Sequence, residues 1–386
     1  MTFVTLAIVS VAALAGPLLA LKKSWHIPIV VGELLVGIVL GATGFRVIDA
    51  HDPTLTFLAE LGFALVMFVA GSHVPVRDSA VRAAVGAGAV RLVVVAAVSI
   101  GVGVLVAAAF GTSHTPLYAV LMASSSAALV LPIIGGLGLG GSRVLQMTAQ
   151  VAMADVACIV AVPLVVDPSH AGRAAVGSLA VIACSIVVFF LFRAAERSGL
   201  RHRIHRVSEQ RGFALELRID LIILFALAAL AIFTGVSVML AGFALGLVIA
   251  AIGVPRRLAR QLFAITEGFL GPLFFVWLGA SLDLTGLWAQ PRYLLLGFVL
   301  GAGALIAHLA TRLVGQPVSL GLLSGAQVGV PLAAVTVGTQ SGLLSSAEAG
   351  AIIVGALITV AVATVSGGSA ARRGFVVKPV EHADEH

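Results

Sequence analysis

Charged side chains are scarce in this sequence. Asp, Glu, Lys and Arg make up 10% of its 386 residues, whereas they form about 25% of an ordinary soluble domain. Aromatic residues are also few, at 6%, and the mean hydropathy is +1.13. This composition excludes a soluble globular protein.

Cysteine is nearly absent as well. Cys158 and Cys184 both lie inside apolar stretches, so we interpret them as small core residues rather than as a disulfide or metal framework. No segment combines a nucleophile with a base or clusters metal ligands, so we predict neither an enzyme nor a cofactor. The net charge of +6 follows from membrane topology, and we predict no nucleic-acid partner.

The sequence is dominated by long apolar blocks. About thirteen of them have the length of a membrane-spanning helix, roughly 18 to 25 residues. We therefore predict a single all-α polytopic membrane domain over residues 1–386, embedded in a lipid bilayer. The predicted spans, numbered 1 to 13, are approximately 2–21, 25–45, 56–74, 84–110, 115–138, 144–166, 174–194, 218–236, 238–253, 258–282, 292–314, 318–342 and 347–367.

The basic residues agree with this topology. If the N-terminus lies outside, twenty of the 23 Lys and Arg residues fall on the inner side, and Arg46, Arg173 and Arg292 fall outside. An extra or missing span in mid-chain would mix the two groups, so the split favours thirteen spans. It places the N-terminus outside and residues 368–386 in a short cytoplasmic tail.

Spans seven positions apart resemble each other. Span 3 contains FLAELGFALVMFVAGS (57–72), and span 10 contains FAITEGFLGPLFFVWLGAS (263–281). Spans 2 and 9 form a second pair, and spans 5 and 12 a third. Because the offset is odd, paired spans cross the bilayer in opposite directions, which is typical of an inverted repeat. We predict repeat one (spans 1–6) over about 1–166, a linker helix over about 174–194, and repeat two (spans 8–13) over about 218–367.

Spans 5 and 12 share an interruption. ASSSAALVLP (123–132) ends at Pro132, and SGAQVGVP (324–331) contains Gln327 and ends at Pro331. Such runs make an unstable continuous helix, and irregular backbone at membrane depth is tolerated only when it is buried in protein or lines a cavity. We predict two broken helices whose free carbonyls and helix ends form a binding site. The alternative is that the prolines only kink packed helices.

Asp155 is the most unusual residue of span 6. It lies within AQVAMADVACIVAVPLV (149–165), near the centre of a bilayer about 30 Å thick. A carboxylate there costs several kcal/mol unless it is compensated. Because a carboxylate suits a proton or a small alkali cation, Asp155 is the predicted shared site and a transient metal ligand. The alternative is a structural Asp paired with a neighbour.

His308 lies in span 11, within FVLGAGALIAHLATRLVG (298–315). An unperturbed imidazole titrates near pH 6.5, so His308 is a candidate charge partner or pH-responsive group. A single histidine on an apolar helix is as readily a packed core residue, and the residues alone leave both readings open.

Several segments together resemble a known family. They are IPIVVGELLVGIVLG (27–41), LAELGFALVMFVAGS (58–72), the serines of span 5, the Asp of span 6, GVSVMLAGFALGLVIA (235–250) and FLGPLFFVWLGASLDL (269–284). In this order they are similar to the sodium/proton exchanger domain of monovalent cation:proton antiporters. The bacterial branch that includes glutathione-gated potassium efflux systems and stand-alone sodium/proton antiporters is the most similar.

The resemblance implies a bacterial inner-membrane antiporter that exchanges Na⁺ or K⁺ for H⁺ by elevator-like alternating access. It implies a homodimer with a mobile core of spans 4–6 and 11–13, in which the broken helices cross beside the carboxylate. Asp155 matches the ion- and proton-binding aspartate, and Ser125 and Ser126 match the hydroxyl-bearing crossover. His308 falls where electrogenic members have a lysine.

The sequence departs from the family pattern at two places. Ala154 precedes Asp155 where members commonly have a polar residue, and Gly325, Ala326 and Gln327 stand where many members carry Arg-Gly-Glu. Exchange at one carboxylate is then electroneutral, or the ion differs, or transport has been lost. Two other functions stay open: a non-transporting membrane sensor or scaffold, and an organic-anion symporter on a related fold.

Overall fold

The fold is described from a computed structural model. It describes residues 1–376 apart from 22–28, 73–75, 78, 167–170, 212, 254–255, 283, 286, 288–289 and 341. Lys22, Lys23 and residues 377–386 of the predicted tail therefore lie outside the described residues. The helices are α1 Phe3–Ala13, α2 Ala15–Ala20, α3 Ile29–Leu40, α4 Pro53–Ser72, α5 Ser79–Phe110, α6 Thr115–Ala123, α7 Ala127–Gly136, α8 Ser142–Val166, α9 Ala171–Arg197, α10 Leu200–Arg211, α11 Leu215–Thr234, α12 Val238–Ile252, α13 Arg256–Ile265, a π-helical turn Thr266–Leu270, α14 Gly271–Ser281, α15 Pro291–Leu309, a 3-10 turn Ala310–Val314, α16 Val318–Ser324, α17 Gly329–Gln340 and α18 Ser346–Arg372.

Long apolar helices make up most of the chain, as the composition predicts. In the described residues, eleven helical stretches are long and apolar enough to cross a membrane. Two shorter apolar helices, α3 and α12, coincide with predicted spans 2 and 9. The multi-pass helical architecture is confirmed, while the count of thirteen spans and the N-out orientation stay predictions.

Two element boundaries differ from expectation. The arginine-rich segment between predicted spans 7 (174–194) and 8 (218–236), to which the span prediction assigns no helix, is largely helical, because α9 continues to Arg197 and α10 follows it. The last helix, α18, ends at Arg372, five residues beyond the predicted end of span 13. Its N-terminus is fixed by a capping box, in which Ser345 and Glu348 satisfy each other's backbone N–H groups.

Two helix crossings are related to each other as the repeat predicts. Helix α3 packs on α14, and α4 packs on α12. A Cβ atom added to Gly37 would lie 2.2 Å from Val276 O, and one added to Gly246 would lie 2.3 Å from Phe68 O. Glycine is therefore required at both crossings, because the backbones touch. Span 2 meets span 10 in the same way as span 9 meets span 3.

The C-terminal ends of α3 and α14 are also joined by side chains. The hydroxyl of Thr43 donates to Leu282 O at 2.5 Å, across 239 positions of sequence. The indole of Trp277 donates to Ala50 O at 2.9 Å. These contacts join the two predicted repeats directly.

The two interrupted spans are broken helices, as predicted. Residues 124–126 separate α6 from α7, and residues 325–328 separate α16 from α17. We call these seven residues the crossover, because the two gaps meet: Ser126 N donates to Ala326 O at 2.7 Å. The breaks precede both prolines. Pro331 lies in the first turn of α17, where a missing N–H costs little, and Pro132 lies inside α7.

Candidate functional site

Asp155 lies on α8 at the start of the half-helix α7. Its side chain is buried, with 1% of the residue exposed. Its Oδ2 accepts a hydrogen bond of 2.9 Å from the N–H of Ala127, the first residue of α7. A helix N-terminus carries partial positive charge, so it stabilises the carboxylate. Among the described residues Asp155 forms no ion pair. This argues against the alternative that Asp155 is a structural residue paired with a charged neighbour.

Thr359 takes the corresponding place in the second repeat. The N–H of Gln327, at the other gap, donates to Thr359 Oγ1 at 3.2 Å. Thr359 lies on α18 and is fully buried, and its hydroxyl donates to Ala356 O at 2.7 Å. A neutral hydroxyl therefore receives the N–H that a carboxylate receives in repeat one.

Sequence reasoning missed Thr359, because the sequence carries no direct signal for it. The Ala127 and Asp155 bond joins residues 28 positions apart, and the Gln327 and Thr359 bond joins residues 32 positions apart. The two separations differ by four residues, so extending the alignment of spans 5 and 12 into spans 6 and 13 without a gap does not pair Asp155 with Thr359.

His308 bridges the C-terminal ends of the two other half-helices. Its Nε2 lies 3.2 Å from Ser124 O, beside the end of α6, and its Nδ1 lies 3.1 Å from Ser324 Oγ, at the end of α16. His308 is fully buried. Because a carbonyl only accepts, Nε2 carries a hydrogen.

Both protonation forms of His308 can be hydrogen-bonded in this geometry. Ser324 Oγ also lies 2.7 Å from Gly321 O, to which it donates. With that bond made, Nδ1–H of an imidazolium donates to Ser324 Oγ; with the hydroxyl rotated, a neutral Nδ1 accepts from it. The serine hydroxyl can therefore follow a change of charge on the ring.

Gln327 and Ser125 close the rest of the crossover. The side-chain amide of Gln327 lies 3.3 Å from Met122 O and 3.2 Å from Ser124 O, and it donates to both. The Ser125 hydroxyl donates to Ser324 O at 2.7 Å. The amide and hydroxyl donors thus satisfy carbonyls that the helix ends leave free. Ser126 takes part through its backbone N–H to Ala326 O.

The site therefore has a simple electrostatic order. Acceptors, Asp155 and Thr359, meet N–H groups that lead into α7 and α17. Donors, His308 and Gln327, meet carbonyls at the C-terminal end of α6. Asp155 is the one carboxylate in this hydrogen-bonded group of described residues. Pro132 and Pro331 lie within α7 and α17, outside the two gaps.

A second polar group, also missed from the sequence, leads toward the crossover along α8. Arg91 of α5 is buried, with 4% exposed, and donates to Gln146 Oε1 at 2.7 Å. Gln150, one turn further along α8, donates to Ser324 Oγ at 3.5 Å. A glutamine one turn from another on an apolar helix is the sequence signal that could have indicated this polar face.

Comparisons with known proteins agree with the fold. The family model "Sodium/hydrogen exchanger, transmembrane" matches residues 8–372. The "Putative Na(+)/H(+) antiporter YjbQ" of Bacillus subtilis (strain 168) is 24% identical over 92% of this chain and 61% of its own length. The "Glutathione-regulated potassium-efflux system protein KefC" of Enterobacter sp. (strain 638) is 27% identical over 70% of this chain and 44% of its own.

A solved structure has the same fold. The sodium proton antiporter MjNhaP1 from Methanocaldococcus jannaschii, at pH 8, superposes with a TM-score of 0.66 and covers 96% of this chain and 97% of that chain, at 18% identity. The chain spans less than two thirds of the length of the curated relatives it matches. The family model nevertheless covers nearly the whole chain. The chain belongs to the sodium/hydrogen exchanger transmembrane family, a family of cation/proton antiporters.

Proposed function

We propose that this protein is a secondary active antiporter that exchanges Na⁺ or K⁺ for H⁺ by alternating access. The proposal rests on Asp155, which is a buried carboxylate beside two broken helices. It accepts a hydrogen bond from the N–H of Ala127 and pairs with no cationic side chain among the described residues. An oxygen ligand of this kind takes either a proton or an alkali cation, and competition between the two is the minimum needed for exchange.

The stoichiometry proposed is one cation for one proton. Ala154 is apolar, and Thr359 and Gln327 are neutral, so a single negative charge stands at the crossover. A carboxylate with a bound monovalent cation and a protonated carboxylate are both neutral. Each half of the cycle then moves no net charge at this site, and the exchange is electroneutral.

His308 is proposed to make the exchange pH-responsive. Its ring lies between Ser124 O and Ser324 Oγ, where both of its charge forms can be hydrogen-bonded. A positively charged ring at the C-terminal ends of α6 and α16 would interact favourably with the partial negative charge of both helix ends. Protonation would therefore change how firmly the two gaps are held together.

The finer architecture follows the family resemblance. We propose a homodimer in the bacterial inner membrane, with the N-terminus outside and the C-terminus cytoplasmic. The mobile part is the core of α5–α8 and α15–α18, and it carries the crossover.

The direct test is cation-dependent proton flux in proteoliposomes. The full chain is reconstituted, a pH gradient is imposed, and Na⁺, K⁺ and other alkali cations are added with and without a membrane potential. Wild type should exchange Na⁺ or K⁺ with no response to the potential, and Asp155→Asn should show no flux. Glu33→Gln is the matched control, because Glu33 is a buried acid on α3, away from the crossover. Unchanged flux in Asp155→Asn would remove Asp155 from the mechanism.

His308→Gln is tested in the same vesicles across a range of pH. The amide can still donate to Ser124 O but cannot gain a proton, so the pH dependence of exchange should change. If the profile is that of wild type, His308 is a packing residue.

Two rivals give different outcomes. A non-transporting sensor or scaffold is favoured by Gln327, whose amide seals the gap by bonding to Met122 O and Ser124 O. Correctly folded protein without flux for any alkali cation would establish that rival. Uptake of a carboxylate solute without cation-coupled proton release would instead support an organic-anion symporter.

A further inference from the structure

A cavity of about 410 Å³ lies away from the crossover, between α8, α9 and α12. Val156, Phe189 and Leu247 line it from the three helices, and Val76, in the segment after α4, lines it as well. Its volume falls in the range of ligand-binding pockets, roughly 300–1,000 Å³. The wall residue Ile186 is 50% exposed, so the cavity opens onto the outer surface of α9.

The cavity has an apolar lining with one polar side chain, Ser185. The hydroxyl of Ser185 donates to Val181 O within α9 at 2.8 Å. A water molecule needs two to four polar partners to occupy a cavity stably, and the side chains of this lining offer at most one, the oxygen of Ser185. The chemistry of the wall therefore fits a hydrocarbon.

Two arginines stand at one end of the cavity. The exposed Arg77 follows Val76 and donates from Nε to Ala251 O at 2.8 Å, and both Val76 and Ala251 are lining residues. The exposed Arg193 has its guanidinium carbon 5.9 Å from the ring centroid of Phe189, another lining residue.

Ala251 and Phe189 are the last lining residues of α12 and α9, and the predicted topology places both of these helix ends on the same side of the membrane. By the charge distribution in the sequence, this is the arginine-rich side of the membrane. A guanidinium pairs well with a phosphate oxygen, because it offers several N–H donors in one plane.

We propose that this cavity is a binding site for one anionic phospholipid. An acyl chain fills the apolar space between α8, α9 and α12, and the phosphate binds Arg77 and Arg193. The wall is uncharged, and each of the two cations contacts a lining residue at its end. This arrangement complements a lipid whose charge lies at one end of a hydrocarbon chain. The site does not depend on the proposed antiport, since binding is measured without transport.

The position of the site gives the lipid a functional consequence. Val156 directly follows Asp155 on α8, whereas Ala251 lies on α12, which packs against α4 outside the core. A bound chain therefore contacts both the helix that carries the carboxylate and a helix of the other part of the molecule. Lipid occupancy should resist relative movement of the two.

The test is lipid retention by the full chain. Protein is purified in mild detergent, exchanged into mixed micelles of phosphatidylglycerol and phosphatidylcholine with matched chains, and analysed by native mass spectrometry. Ala244→Phe places a ring into the cavity, since Ala244 is a half-buried lining residue. Arg77→Gln and Arg193→Gln each remove one charge.

The chain offers matched controls. Ala183→Phe makes the same change at an exposed position of α9 that does not line the cavity. Arg173→Gln removes an exposed arginine that, like Arg77, donates to a backbone carbonyl, that of Phe233. Monodispersity in size-exclusion chromatography confirms that each variant is folded before its mass spectrum is compared.

We expect wild type and both controls to retain one phosphatidylglycerol per protomer in preference to phosphatidylcholine. Each arginine variant should lower that occupancy about fivefold, the effect of one basic residue near a lipid surface, and Ala244→Phe should abolish it. Retention by a folded Ala244→Phe equal to that of Ala183→Phe would overturn the site. Equal retention of the two lipids by wild type would overturn the anionic assignment.

Discussion

Replacing Ser324 by Ala removes one hydroxyl from the centre of the crossover. Ser324 Oγ donates to Gly321 O at 2.7 Å, lies 3.1 Å from His308 Nδ1, and accepts from Gln150 Nε2 at 3.5 Å. All of these groups are buried, and no other described side chain replaces the hydroxyl. The substitution therefore leaves an imidazole nitrogen and an amide N–H without partners.

The expected loss of stability follows from these contacts. Interhelical hydrogen bonds within membranes average about 0.6 kcal/mol and reach about 1.7 kcal/mol, whereas a buried polar group left unpaired costs ~1–3 kcal/mol. The bond to Gln150 is long and contributes little, so the His308 nitrogen dominates. We expect Ser324→Ala to lower the free energy of unfolding by ~1–3 kcal/mol.

Ser319→Ala is the matched control on the same half-helix. Ser319 is also buried, at 3% exposed, but its hydroxyl has no hydrogen-bond partner among the residues that the structure describes. Removing it deletes no bond, so its stability should equal or slightly exceed that of wild type. Both variants are compared by thermal denaturation in detergent, read by size-exclusion chromatography. Equal melting temperatures for the two variants would refute the assignment of Ser324 as the hydroxyl that holds the two gaps together.

Two further substitutions test the repeat-related contacts. Thr359→Val removes the acceptor of the Gln327 N–H, so it should lower stability by ~1–3 kcal/mol and slow exchange. Thr364 lies on the same helix and, within the described part of the chain, its hydroxyl bonds to Val360 O alone, so Thr364→Val should change stability and exchange less. A Thr359→Val protein indistinguishable from Thr364→Val in melting and flux would contradict the role given to Thr359. Gly246→Ala forces a Cβ to within 2.3 Å of a backbone oxygen and should destabilise by ~1–3 kcal/mol, whereas Gly268→Ala has open space around it. If the two glycine variants melt together, the crossing of α4 and α12 is not as tight as described.

The sequence was sufficient for the parts of the fold that depend on bulk hydropathy. Long apolar blocks located the spans, and the Ser-Gly-Pro runs located both broken helices, because these features repeat over many residues. The arginine-rich α10 was missed since its hydropathy is low and a polar helix outside the bilayer has no strong periodic signal.

The partners within the site could not be predicted in the same way. A serine or threonine in an apolar helix usually donates to its own backbone, as Thr364 does to Val360 O. Nothing in the letters distinguishes Thr364 from Thr359, which accepts from a gap 32 residues away. Asp155 was found because a charge at membrane depth is rare. Thr359 and Ser324 are neutral and give no such signal.

The glycine crossings can form only after both of their helices have been synthesised. The contacts that complete α3 and α4 come from α14 and α12, and Thr43 meets Leu282 only after a further 239 residues have been made. At 5–20 residues per second, that interval is ~10–50 s. Until α12 and α14 have been made, the glycine-lined faces of α4 and α3 lie in the bilayer without their partners. A ribosome that stalls before Val238, the first residue of α12, would therefore release α3 and α4 without either of these partner helices.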